Sequence, residues 1–108
     1  MPYTGASGSV NLGNYDLTVN GLSVGRGNGN VSSNTAIGTQ SLYSNTTGYN
    51  NSANGNQSLY SNTSGYSNTA NGFQSLNSNT SGSSNIAIGT QPLRYNTTGS
   101  NNIAIGSP

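Results

Sequence analysis

The sequence predicts an all-β solenoid built from coils of 17 residues. From Asn34 onward the chain repeats with this period, as NTAIGTQSLYSNTTGYN, NSANGNQSLYSNTSGYS, NTANGFQSLNSNTSGSS, NIAIGTQPLRYNTTGSN and a fifth, partial copy, NIAIGSP. Numbering each copy from its first Asn, the residues at positions 1, 3, 5, 7 and 9 are the same in all four full copies, which is typical of one face of a strand. A short fixed period indicates one structural unit stacked on itself.

The composition is polar and nearly uncharged. Asn, Ser, Thr and Gly make up about three fifths of the 108 residues, and the only charged side chains are Asp16, Arg26 and Arg94. Scarce apolar residues also fit a disordered chain, but disorder usually accompanies high net charge, which here is +1. A disordered chain also has no need to keep its apolar residues at the same position in every copy of the repeat. Their regular spacing therefore favours a folded repeat.

Residues 1–33 do not follow the period and predict a short β-rich attachment or capping segment ahead of the solenoid at 34–108. Polar and apolar residues alternate in three stretches, and Asn20-Gly21 between the last two is a hairpin signal. The predicted apolar face consists of Leu17, Val19, Leu22 and Val24. The glycine-rich 25–30 (GRGNGN) is expected to be a flexible joint. The predicted strands are Ser9–Leu12, Tyr15–Val19 and Leu22–Val24.

Within a repeat, the constant face is expected to point into the coil. In the first copy this places Ala36, Gly38, Gln40 and Leu42 inside and the intervening residues, including Ser41, outside. The constant Asn-Thr-Thr/Ser-Gly at positions 12–15 predicts a turn, so each coil is expected to hold two short strands and two turns. Stacked glutamines at position 7 are expected to bond along the stack. The predicted apolar spine is Leu42, Leu59, Leu76 and Leu93.

The opposite face carries an interrupted apolar strip at position 4. Exposed apolar strips mark association surfaces, and a coil this thin needs further burial. Several chains are therefore expected to pack around an axis through this strip, where Asn54 and Asn71 would set the register or hold water or an ion. Exposure of the two asparagines on a monomer is the alternative. The expected inter-chain contacts are Ile37, Asn54, Asn71, Ile88 and Ile105.

The Asn-x-Ala-Ile-Gly units at residues 34–38, 85–89 and 102–106 resemble the head repeats of trimeric autotransporter adhesins. The longer form NTAIGTQSLYSNTTGYN is similar to repeats of bacteriophage tail fibres and other virion fibres. The segments PYTGA, VNLG and DLTV are similar to segments that precede such repeats. The resemblance implies a left-handed parallel β-roll, a homotrimer and a place on the virion surface or outside the cell. The period of 17 is longer than the adhesin coil.

The sequence offers no residues for ordinary catalysis. His and Cys are absent and Asp16 is the only carboxylate side chain, so a Ser–His–Asp triad, a carboxylate pair and common zinc sites are excluded within one chain. We expect no enzyme activity and no cofactor. Two arginines do not make a nucleic-acid surface, and no run is apolar enough to insert into a membrane.

Tyrosines are the candidate recognition residues. Two pairs share position 10 or position 16 and are expected to stack one coil apart, either as a strip for a cell-surface glycan or simply to stabilise adjacent coils. A column of threonines at position 13 suggests ice binding as a further alternative, but this column lies in an expected turn rather than on a strand. The candidate glycan contacts are Tyr43, Tyr60, Tyr49 and Tyr66.

These observations favour a structural or adhesive fibre protein, the shaft or receptor-contacting part of a phage tail fibre or similar virion fibre. The alternatives are a subunit that stacks end to end into an extracellular filament, and a surface adhesin head. They differ in assembly: a fibre module predicts a discrete trimer, a filament subunit an open polymer, and a stand-alone sugar- or ice-binding solenoid a monomer.

Overall fold

The computed structural model describes residues 7–8 and 11–107, and its regular elements are all strands. Within this part of the chain there is no helix. Seven strands form one sheet in which spatial order follows sequence order. The strands are β1 (Leu17–Val19), β2 (Leu22–Gly25), β3 (Thr35–Ile37), β4 (Ser52–Asn54), β5 (Thr69–Asn71), β6 (Ile86–Ile88) and β7 (Ile103–Ile105). The prediction of an all-β solenoid with coils of about 17 residues is confirmed.

Strands β3 to β7 are parallel and pair in the register of the repeat. Ala36 lies beside Ala53, and each later pair is shifted by one whole copy. Successive coils are therefore about 4.8 Å apart, the spacing of neighbouring strands. The expected second strand per coil is absent, because the remaining residues form turns. These turns still bond to the next coil, as where the Leu42 N–H donates to the Ser58 carbonyl at 3.1 Å.

A narrow core runs along the stack. Its alanines lie on the inner side of the strands, and their small side chains let the opposite wall of the coil come close. The leucines at position 9 fill the remaining space: Leu42, Leu59 and Leu76 are fully buried, and Leu93 is half-buried against them. The core alanines are Ala36, Ala53, Ala70 and Ala87.

The alternation of inner and outer residues ends with each strand. Gln40, expected inside, is exposed, whereas Ser41, expected outside, is buried. The cause lies in the backbone, because Gly38, Gln40 and Leu42 have φ of 120°, 58° and 49°. Only glycine readily adopts the φ of 120° found at Gly38. A Cβ added to Gly38 would also lie 2.8 Å from the Gly55 backbone. Left-handed residues turn the chain and break the period of two.

The N-terminal segment forms a hairpin that joins the sheet. Strands β1 and β2 are antiparallel, and the turn residues Asn20 and Gly21 have φ of 49° and 82°, as a type I′ turn requires. Strand β2 then pairs antiparallel with β3, so the hairpin lies beside the first coil. The strand predicted at Tyr15–Val19 begins only at Leu17, because Tyr15 precedes β1. Of the strand predicted at Ser9–Leu12, residues 11–12 are not in a strand. Residues 9–10 lie outside the described residues.

The glycine-rich segment 25–30 is bonded to its surroundings rather than acting as a flexible joint. Both carboxylate oxygens of Asp16 accept backbone N–H groups, from Arg26 at 2.9 Å and from Gly27 at 3.2 Å. The Asn28 N–H donates to the Leu42 carbonyl at 3.1 Å. The segment therefore covers the core at the N-terminal end of the stack.

Replacing Leu59 by Ala tests the leucine spine. The side chain is fully buried, so we expect the variant to lose about 2–5 kcal/mol in the free energy of unfolding. The measurement is denaturant unfolding followed by circular dichroism at matched protein concentration. Leu93→Ala, in a half-buried site, is the matched control and should lose less. Equal losses in the two variants would contradict a continuous buried spine.

Candidate functional site

The outer side of the sheet presents a continuous row of residues at position 4. Strand pairing places these residues directly opposite one another, and the antiparallel hairpin extends the row by two. They share one face because their neighbours at position 3 point into the core. This row, called row 4 below, is Leu17, Val24, Ile37, Asn54, Asn71, Ile88 and Ile105.

A second row lies on the same face at position 2. It changes from polar in the first three coils to apolar in the last two. Rows 2 and 4 together form the outer face, which carries no charged side chain. Its apolar residues are grouped at the two ends of the stack, with a polar band across the middle. Row 2 is Thr35, Ser52, Thr69, Ile86 and Ile103.

The residues predicted to contact other chains all lie on this outer face. Ile37 is half-buried, Ile88 is 38% exposed and Ile105 is 74% exposed. Asn54 and Asn71 are exposed in adjacent coils and separate the two apolar groups. The structure thus brings the five residues into one line on an accessible surface. The leucines and valines of the hairpin, expected to be a small apolar face of their own, extend that surface.

The tyrosines form two stacked pairs away from the sheet. The rings of Tyr43 and Tyr60 are parallel within 1°, with centroids 5.3 Å apart, and those of Tyr49 and Tyr66 are parallel within 2° at 5.0 Å. The stacking expected from the period is therefore present. Tyr43, Tyr49 and Tyr66 are each more than 40% exposed. Both pairs therefore offer accessible aromatic surface.

Two columns of asparagine fill the interior opposite the leucines. In the coil that begins at Asn68, the side-chain amide groups of Asn68 and Asn79 both donate to the Gly82 carbonyl, at 2.8 and 2.9 Å. We call this arrangement of positions 1, 12 and 15 the asparagine clamp. It recurs in every full coil, where the shared acceptors are Gly48, Gly65, Gly82 and Gly99.

The clamps are also bonded to one another. The Asn68 Oδ1 accepts the backbone N–H of Asn85 at 3.0 Å and its side-chain amide at 3.1 Å. In the second column, Asn79 donates to the Asn62 Oδ1 at 3.0 Å. No described buried side-chain polar atom lacks a partner. Position 1 belongs to the constant face that was expected to point into the coil, but the interior place of the position-12 asparagines was missed because they were predicted as turn residues.

Two further columns use their polar groups within the stack. The Thr46 hydroxyl donates to the Thr63 carbonyl at 3.0 Å, and Thr63 and Thr80 bond the next coil in the same way. These hydroxyls are already engaged, which argues against an ice-binding role for position 13. The predicted glutamine ladder is present, with amide contacts of 2.7–3.0 Å between successive copies.

Among the described residues, no cluster of metal-ligating side chains occurs, and none of them forms a helix that is long and apolar enough to cross a membrane. Comparison with protein-family models, curated proteins and solved structures finds no match to this chain. The assignment of a function therefore depends on the outer face, the tyrosine pairs and the 17-residue repeat.

Replacing Asn68 by Asp tests the clamp. The carboxylate would be buried and would face the Gly82 carbonyl, so we expect a loss of roughly 3–5 kcal/mol in the free energy of unfolding at neutral pH. Burial raises the pKa of the introduced carboxyl in the folded chain above its unfolded value of about 3.9. The stability is therefore retained below the unfolded pKa and lost as pH rises through the folded pKa.

Unfolding of this variant, measured across acid to neutral pH, should show that loss. The matched control is Asn56→Asp, at an exposed position whose side chain makes no hydrogen bond to the described residues, and it should show little pH dependence relative to wild type. A flat pH profile for Asn68→Asp would show that the clamp is not buried.

Proposed function

We propose that this chain is a structural repeat module of a fibre, in which copies pack side by side through the outer face. The fibre is of the phage tail-fibre or virion-fibre kind, a left-handed β-roll displayed on the virion surface or outside the cell. The observation that carries the proposal is the uncharged face with apolar ends, aligned over all seven strands. A rigid rod follows from in-register coils, and its role is to hold a binding surface at a distance.

The chemistry of the outer face favours parallel packing of identical chains. In a parallel, in-register assembly each level meets itself, so that Ile88 meets Ile88 and Asn54 meets Asn54. In an antiparallel pair centred on the polar band, Thr35 of row 2 would face Ile86 of the other chain. A polar side chain would then lie against an apolar one in row 2. The parallel arrangement buries the apolar ends and lets the asparagine amides bond across the interface. If three chains pack around a common axis, each turns its outer face toward that axis, and all three outer faces are covered.

The hairpin favours lateral packing over an end-to-end filament. A filament that continued the parallel stack from one subunit to the next would need its first parallel strand, β3, free to pair with a preceding subunit. Instead, β2 pairs with β3 in the antiparallel sense. The repeat sequence itself, similar to fibre and adhesin repeats, supports the same choice of function.

A double substitution on the outer face tests the packing. Ile37→Asn with Ile88→Asn copies the residue already found in row 4 of the middle coils, so the coil should still fold. We expect the wild-type chain to have a solution mass of three chains by light scattering and short rods in negative stain. The variant should have the mass of one chain, because an interface that loses apolar contacts at two levels is weakened.

The control is Thr39→Asn with Thr90→Asn, at exposed sites off the sheet where the second coil already has Asn56. This control should keep the wild-type mass. A double Ile variant that stays trimeric would show that the outer face is not the interface. Wild-type filaments of indefinite mass would favour the filament alternative, and a wild-type monomer would exclude both.

A further inference from the structure

We propose that the ring of Tyr66, with the short serine side chains that follow it in the stack, forms a shelf for a neutral sugar ring. This inference rests on the proposed function, because it gives the receptor-contacting role of the fibre module a ligand class and a location. Tyr66 belongs to the column of residues at position 16 of the repeat.

Backbone hydrogen bonds fix the register of that column. The N–H of Ser67 donates to the Tyr49 carbonyl, and the N–H of Ser84 donates to the Tyr66 carbonyl, both at 3.0 Å. The N–H of Asn101 continues the series to Ser83 at 3.0 Å. Coil by coil, the column therefore holds Tyr49, Tyr66, Ser83 and Ser100.

The change from tyrosine to serine leaves one ring face of Tyr66 without an aromatic partner. Its other face stacks on Tyr49 at 5.0 Å, yet 43% of the residue remains exposed. Ser83 and Ser100 occupy two coils, about 9.6 Å of stack, and neither side chain is large enough to cover a ring. No aromatic residue follows Tyr66 in the column, so a sugar ring stacked on Tyr66 would lie beyond the short side chain of Ser83, which is itself buried and accepts the Tyr66 N–H at 3.1 Å.

The groups around the shelf fit a sugar rather than a charged ligand. The C–H face of a pyranose packs on an aromatic ring while its hydroxyl groups need polar partners. The Ser100 Oγ accepts the Ser83 N–H at 2.9 Å, which leaves its own proton free to donate. The side chains of Ser84 and Asn101 are exposed nearby. None of the three charged residues of the chain lies in this column, so a neutral sugar is favoured over an anionic one.

The other tyrosine column ends differently. Tyr60 is half-buried and is followed by Asn77, whose amide donates to the Gln57 carbonyl at 3.1 Å. Arg94 comes next, with its guanidinium 5.2 Å from the centre of the Tyr95 ring. The position 10 column therefore continues with side chains that are longer than serine and already have partners. The position 10 pair is therefore assigned to stacking alone and serves as the internal control.

The experiment is saturation-transfer NMR on the full chain with three neutral probes: maltotriose, chitotriose and lactose. Titration of the probe that shows transfer gives its affinity. Tyr66→Ser extends the serine run already present in the column, and Tyr43→Asn places at position 10 the residue that the third coil has there. We expect Tyr66→Ser to bind the probe about tenfold more weakly, the effect of one lost stacking contact, and Tyr43→Asn to bind as wild type.

Absence of transfer to all three probes in wild type would overturn the proposal. So would unchanged affinity in Tyr66→Ser, or an equal loss in Tyr43→Asn. Light scattering on the same samples separates this inference from the fibre function: both variants should have the wild-type mass. A failed fibre proposal would appear in the mass of the wild-type chain and not in the comparison of sugar affinities.

Discussion

The asparagine clamp is the interaction on which the stack depends. In each full coil the side-chain amides of two asparagines donate to one glycine carbonyl, and both asparagine columns also bond from coil to coil. A side chain at position 15 would displace them: a Cβ on Gly65 would meet both the Asn62 Oδ1 and the Gly82 carbonyl. A coil of any other length would move the asparagines out of reach of their partners and leave several buried amides unpaired. Each unpaired amide would cost about 1–3 kcal/mol in the free energy of unfolding. The clamp therefore explains why the period is kept.

In-register stacking also explains the near absence of charge. Every repeated position is placed about 4.8 Å from its copy, so a charged residue kept in each coil would form a column of like charges. Each such pair costs roughly 1–3 kcal/mol, depending on the local dielectric. Neutral residues benefit from the same geometry, as in the glutamine ladder and the tyrosine pairs. Within the repeats the one charged residue is Arg94, which occupies a position that varies between copies.

Much of the fold could be predicted from periodicity. The coil length, the inward alanines, the Asn20-Gly21 turn and the stacked tyrosines all follow from repeat spacing and local turn chemistry. The outward Gln40 and inward Ser41 could not be predicted, because left-handed backbone at Gln and Leu has no signal in residue type. The burial of the position-12 asparagines was missed for a related reason: it is favourable only once glycine carbonyls from the same coil are brought within reach. The row of residues on the outer face was predicted, while its extension through the hairpin required the antiparallel pairing of β2 with β3.

Hydrogen exchange of side-chain amides is the most direct measurement of the clamp. The NH₂ groups of Asn62, Asn68 and Asn79 are buried, and each donates both to a glycine carbonyl and to the asparagine Oδ1 of the preceding coil. Those of Asn50 and Asn56 belong to exposed residues of the same chain and serve as references in the same spectrum. We expect the buried amides to exchange only with opening of the coil, far more slowly than the exposed ones. Equal exchange rates for the two groups would show that the asparagines are solvated and that the clamp does not hold the stack.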